Sequence, residues 1–126
     1  MVDLLLGLEP EAAAAGGRVV VLLGNHEVMN LMGDLRYLVA EDYSSFADTR
    51  SEERRRLAYR DLKRWFEERG VPGGTPPEDA WREAHPPGFL ERMAAFAPEG
   101  KYGSWLRRHS AATQIGAVVF LHGGIS

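Results

Sequence analysis

The chain has 126 residues, enough for one ordinary domain with a modest core. It is 44% hydrophobic and 26% charged with a formal net charge of -3, the balance of a globular chain with no general footprint for nucleic acid. Without cysteine it can form no disulfide, thiolate metal site or cysteine nucleophile, which suits a reducing cytoplasm, and no stretch is long and apolar enough to span a bilayer.

In chain order, residues 1–15 are expected to be helical. Leu4, Leu5, Leu8 and Ala12 recur on one helical face, and Gly16-Gly17 supplies a left-handed stop. The segment Met1 to Leu6 lacks a basic flank and carries Asp3, a poor pattern for a secretory signal. Residues 18–23 follow as a near-continuous apolar run, predicted to be a strand buried on both faces in a helix-covered sheet. Helix, glycine turn and buried strand in this order read as an α/β unit.

That run ends in Gly24-Asn25-His26-Glu27. Beyond it, Val28, Leu31, Met32, Leu35 and Leu38 keep helical spacing, broken by Gly33-Asp34. Thr49 precedes Glu52 by three, a capping-box pattern, and the helix it opens carries Leu57, Ala58, Leu62, Trp65 and Phe66 to a stop at Gly70. Its Arg54-Arg55-Arg56 cluster reads as a solvated helix face. Residues 71–77 cannot continue a helix. Short helices are expected around 78–84 and 87–97, parted by Pro86-Pro87, and another from Ser104 to Arg108. Residues 113–121 return to strand and end in His122-Gly123-Gly124. Two strands therefore flank a helical excursion of roughly ninety residues, far longer than a normal crossover.

The chemistry concentrates at the two strand ends. In open α/β sheets, ligands bind beyond the carboxyl ends of strands. Asn25 offers a neutral oxygen ligand, and His26 a metal ligand or an acid/base group. The same residues also suit a plain turn, with Asn in the left-handed region and His26 or Glu27 capping the next helix, and both readings stay open on the residues alone. His122 carries the same pair of readings, structural residue or ligand. His26-Glu27 begins like the zinc-protease pattern His-Glu-x-x-His, but Asn30 stands where the second histidine is required, so that reading fails. His85 and His109 read as structural or exposed. The aromatic residues Trp65, Phe66, Trp81, Phe89, Phe96 and Trp105 read as core or groove lining.

Leu22-Leu23-Gly24-Asn25-His26-Glu27 and Phe120-Leu121-His122-Gly123-Gly124-Ile125-Ser126 resemble the third and fourth sequence blocks of the calcineurin-like metallophosphoesterases. The resemblance is to the phosphoprotein-phosphatase branch, and within it to bacterial Shewanella-like phosphatases. It implies an α/β fold: part of the metallophosphoesterase β-sandwich flanked by helices, with a long helical insertion at about 40–110 between two buried strands. It implies two divalent metal ions (manganese, iron or zinc), Asn25 and His122 as ligands of one of them, and His26 as general acid toward the leaving group. The implied substrate is a phosphoprotein or a small phosphate ester, with neither nucleic acid nor membrane as partner.

The family's Gly-Asp-x-His-Gly and Gly-Asp-x-x-Asp-Arg-Gly blocks are absent here, as is its last ligand histidine. The chain is thus expected to be a single partial domain over residues 1–126, with an incomplete site and little activity of its own. Alternative expectations are a non-catalytic interaction module and a truncated gene product. Arg36, Arg107 and Arg108 are candidates for phosphate contact, and strand edges without neighbours are candidates for association.

Overall fold

The computed structural model of the chain describes residues 1–124; Ile125 and Ser126, the end of the second motif, lie outside the described residues. Among the described residues, seven helices precede one hairpin: α1 (Val2–Ala14), α2 (Asn25–Met32), α3 (Ala40–Ser44), α4 (Ser51–Arg69), α5 (Glu78–Ala84), α6 (Phe89–Phe96), α7 (Lys101–Leu106), β1 (Ala112–Ile115) and β2 (Val118–Leu121). No described helix is long and apolar enough to cross a membrane. Two compact units result, Met1–Leu35 with Ala95–Ser126, and Arg36–Ala94.

The first unit is built around α7. Trp105 and Leu106 are 2% and 1% exposed. The indole Nε1 of Trp105 donates to Glu9 Oε2 on α1 at 2.7 Å, so the largest buried side chain is also hydrogen-bonded. Asp3 of α1 binds both the Lys101 ammonium and the Tyr102 hydroxyl, the latter at 2.8 Å. These polar ties hold α1, whose apolar face is less covered than its spacing suggests: none of its residues is buried and Leu4 is 61% exposed.

The apolar run at 18–23 is extended but forms no strand ladder. It makes a single parallel bridge, Leu22 to Ser110, with Leu23 N–H donating to the Ser110 carbonyl at 3.0 Å. This corrects the expected buried strand. A strand needs a neighbour along its length, and the chain after Ser110 instead turns back on itself. Residues 113–121, expected as one strand, are a hairpin in which Ala112 pairs with Leu121 and Ile115 with Val118. Gly116, at φ 60°, takes the first turn position of a two-residue connection, which glycine fills without a Cβ penalty. The hairpin is open to solvent: Val118, Val119 and Phe120 are 54%, 53% and 46% exposed.

In the second unit α4 is the longest element, and it stops at Gly70 in the left-handed region, as its sequence predicts. Its start differs. The N-cap is Arg50, and the local bonds run between Asp48 and Ser51: the Asp48 N–H donates to Ser51 Oγ at 2.9 Å. Asp48 Oδ1 in turn accepts from Arg50 N–H at 2.8 Å, so Thr49 and Glu52 make no capping box. Glu52 is occupied elsewhere, by Arg55 and Arg82.

The arginine cluster is only partly solvated. Arg55 is 6% exposed and its Nη2 donates to the Arg82 carbonyl at 2.6 Å. Arg54 bridges Asp48 and Glu91 at 2.7 and 2.6 Å. Trp81 of α5 is buried between Tyr59 and His85, with ring centroids 5.5 and 4.4 Å away. Trp65, expected in the core, is 45% exposed and stacks under Arg69.

Candidate functional site

Asn25 and His26 do not cap a strand; they are the first two residues of α2. The extended segment delivers them there through Gly24, whose φ of -94° any residue could adopt. What Gly24 supplies is space. A Cβ at this position would lie 2.7 Å from Glu27 Oε2, 2.9 Å from His122 Cε1 and 3.0 Å from His122 Nδ1. The imidazole of His122 and the carboxylate of Glu27 thus crowd the same point over the Gly24 backbone.

Glu27, one of the two residues that the turn reading offered as a cap of the next helix, fills that role. Its Oε2 accepts the Gly24 N–H at 2.9 Å, closing the first turn of α2. The turn reading of the motif therefore holds for Glu27. Glycine has no side chain to return the bond, so only the Glu27 half of a capping box is made. Asn30, which disqualified the zinc-protease pattern, spends its amide on the His26 carbonyl at 2.9 Å.

His122 follows directly on β2 and reaches the start of α2. Its Nε2 lies 3.0 Å from Asn25 Oδ1 across 97 positions of sequence. The amide oxygen can only accept, so Nε2 carries the proton in this contact. The structure thus brings together the two residues singled out as ligands, while His26 follows Asn25 in the first turn of α2 and is exposed.

The pair offers two neutral donor atoms at an ordinary hydrogen-bond separation, one that two neighbouring ligands of a single ion would also have once Nε2 had lost its proton. Ligand atoms about 2.1 Å from one divalent ion and at right angles to each other are themselves about 3.0 Å apart. Asn25 Oδ1 and His122 Nε2 have that separation. Both are neutral, one oxygen and one imidazole nitrogen, a set that suits borderline divalent ions. Among the described residues, no three His, Asp or Glu side chains gather as a metal cluster. An open hollow of about 460 Å³ adjoins the pair, with Leu23, Val28, Met29 and Leu121 in its walls.

The other candidates fall elsewhere. Arg107 is tied to the chain, its guanidinium donating to the carbonyls of Phe96 and Leu31 at 3.4 and 3.5 Å. Arg108 lines a different cavity together with Arg18 and His109. Arg36 belongs to the second unit. His85 is structural: its Nδ1 lies 2.7 Å from the Trp81 carbonyl and its ring stacks on the Trp81 indole.

Comparison with known proteins gives a partial relationship. The chain is 31% identical over 124 residues to Shewanella-like protein phosphatase 2 of Arabidopsis thaliana, an alignment that covers 94% of the chain and 31% of that protein. It is 49% identical over 47 residues to an uncharacterized protein of Schizosaccharomyces pombe, covering 37% of the chain and 14% of that protein. The chain thus spans about a third or less of the length of these relatives. No family model matches it, and no solved structure matches it.

Proposed function

We propose that the chain carries one half of the site of a metal-dependent phosphoesterase, and that it is part of a metallophosphoesterase domain. The observation that carries this reading is the 3.0 Å approach of Asn25 Oδ1 to His122 Nε2. Support also comes from the similarity over most of the chain to a protein named as a protein phosphatase.

Asn25 and His122 would hold the ion, manganese, iron or zinc. When bound, a divalent ion there would polarise the phosphoryl group and lower the pKa of an attached water. The residues of the chain do the rest. Glu27, through the Gly24 N–H, fixes the first turn and with it the direction of the Asn25 amide. As water attacks phosphorus and the ester P–O bond breaks, the His26 imidazolium gives its proton to the departing alkoxide oxygen. The products are an alcohol and inorganic phosphate. The substrate class is a phosphate monoester, a phosphoprotein or a small ester.

Two neutral side chains leave most coordination positions to water and bring no carboxylate to offset the metal charge, so binding and turnover by the chain itself are expected to be weak. The test is calorimetric titration of Mn²⁺ into the chain, paired with p-nitrophenyl phosphate hydrolysis. Weak binding that disappears in Asn25→Ala and in His122→Ala supports the reading. Binding indifferent to both substitutions overturns it. Robust turnover lost in His26→Ala would overturn the expected weak activity while establishing the proton donor. A second reading, an interaction module without catalysis, draws on the apolar exposure of β2; saturable Mn²⁺ binding at Asn25 and His122 excludes it.

A further inference from the structure

We propose that the first unit holds a second, separate site, for a phosphate-type oxyanion, in the cavity between residues 18–22 and the chain from Arg108 to Thr113. The two segments run parallel and are joined at Leu22 and Ser110. Parallel registry puts Arg18 and Arg108 upstream of the same junction, and both line a cavity of about 260 Å³ there. Among the described residues, neither guanidinium has a hydrogen-bond or ion-pair partner.

The carboxylate of this cavity is already engaged. Glu9 Oε2 accepts the Trp105 indole N–H at 2.7 Å, and its Oε1 lies 3.6 Å from His109 Nε2. The two arginines therefore outnumber the acid, and the excess positive charge finds no counter-ion among the described residues. His109 Nε2 is a buried nitrogen without a hydrogen bond, since Glu9 Oε1 at 3.6 Å is beyond hydrogen-bond reach. Ser110 and Thr113 add hydroxyls, while Val19 to Leu22 form an apolar side that lowers the local dielectric.

Planar guanidinium forks match phosphate oxygens in pairs, and a phosphate is the ligand that would use both arginines and the hydroxyls together. This is not the phosphate of the proposed reaction. Arg18 stands at the far end of the extended segment from Asn25, roughly 20 Å away at about 3.3 Å per residue. The same chemistry has two sources, free phosphate or a phosphoryl group carried on a peptide.

The experiment titrates inorganic phosphate into the full chain by calorimetry, without metal, and repeats it with a short phosphoserine peptide. The expected result is saturable, one-to-one phosphate uptake that falls at least about tenfold in the Arg18→Gln/Arg108→Gln double variant, weakens with added salt, and survives Asn25→Ala/His122→Ala. Arg18→Lys, which keeps charge but loses the fork, is expected to weaken uptake by an intermediate factor. Phosphopeptide competition for the same site assigns the carried phosphoryl group, and its failure assigns free phosphate; both uphold the site. No saturable uptake, or uptake unchanged in the double variant with its circular dichroism intact, overturns it. Loss of uptake only in the Asn25/His122 variant also overturns it, and would locate the phosphate at the pair instead.

Discussion

The imidazole of His122 lies on the backbone of Gly24, so close that a methyl group at that glycine would come within 2.9 Å of Cε1 and 2.7 Å of Glu27 Oε2. Both obstructing atoms belong to side chains that can swing away, and the Gly24 backbone accepts alanine. Gly24→Ala is therefore expected to cost about 1 kcal/mol of stability or less while dismantling the site. Thermal unfolding should shift little, whereas the nitrogen chemical shifts of the His122 ring should lose the signature of an Nε2–H bound to an amide oxygen. A large drop in melting temperature with an unchanged ring spectrum would contradict this.

Metal entry and the Asn25–His122 hydrogen bond exclude one another, because Nε2 cannot both carry a proton and ligate. Adding Mn²⁺ should broaden the resonances of His122, Asn25 and the first turn of α2 selectively, and adding Zn²⁺ should move the ring proton from Nε2 to Nδ1. Glu27→Gln keeps an acceptor for the Gly24 N–H and should preserve this response. Glu27→Ala removes the acceptor and should weaken metal binding about 10-fold, the scale seen when outer partners of ligands are lost.

Trp105 unites packing with a buried hydrogen bond. Trp105→Phe keeps most of the apolar volume but strands Glu9, and should cost about 1–3 kcal/mol. Trp105→Ala adds a cavity in a core with little else buried and should cost about 3–5 kcal/mol. Urea denaturation followed by circular dichroism measures both, and equal costs for the two variants would mean that the hydrogen bond carries everything.

The second unit should weaken in acid. Burial pushes the Glu91 carboxyl up, but the Ser51 hydroxyl, the backbone and the Arg54 guanidinium outweigh it, and the net shift is downward from the ordinary value of 4.5. A carboxyl held low in the folded state contributes stability that is fully present above its unfolded value and is lost as pH falls through its folded one. Asp48, lowered by the Arg54 and Arg50 bonds, acts in the same sense. Stability should thus be level above about pH 5 and decline below about pH 4, and Glu91→Gln should flatten that decline while lowering the plateau. A decline of the same steepness in the variant would assign it to other carboxylates.

The helices were legible because their signals are local. Gly70, the prolines at 86 and 87, and the apolar spacing of α4 mark ends and faces within a few residues. Pairing was not legible. Whether 18–23 forms a ladder depends on what lies beside it, and residues 112–121 spend their hydrogen bonds on their own hairpin. Arg55 looked like one of three solvated arginines because its burial depends on a carbonyl 27 positions away. At the site, the residues alone left turn and ligand readings open for Asn25, and structural and ligand readings open for His122. The family resemblance placed them together, and their contact is seen in the fold. Glu27 was legible as a cap of the next helix, and it caps it.

The 97 positions between Asn25 and His122 also set an order of events during synthesis. At about 5–20 residues per second, a ribosome needs on the order of 5–20 s to move from one to the other. Throughout that interval the nascent chain carries Asn25 and His26 without their partner, and no ion can be held between two side chains of which one has not been made. Any ion held by this pair therefore waits for His122 to be made, and a growing chain stalled within that interval lacks one of the two side chains.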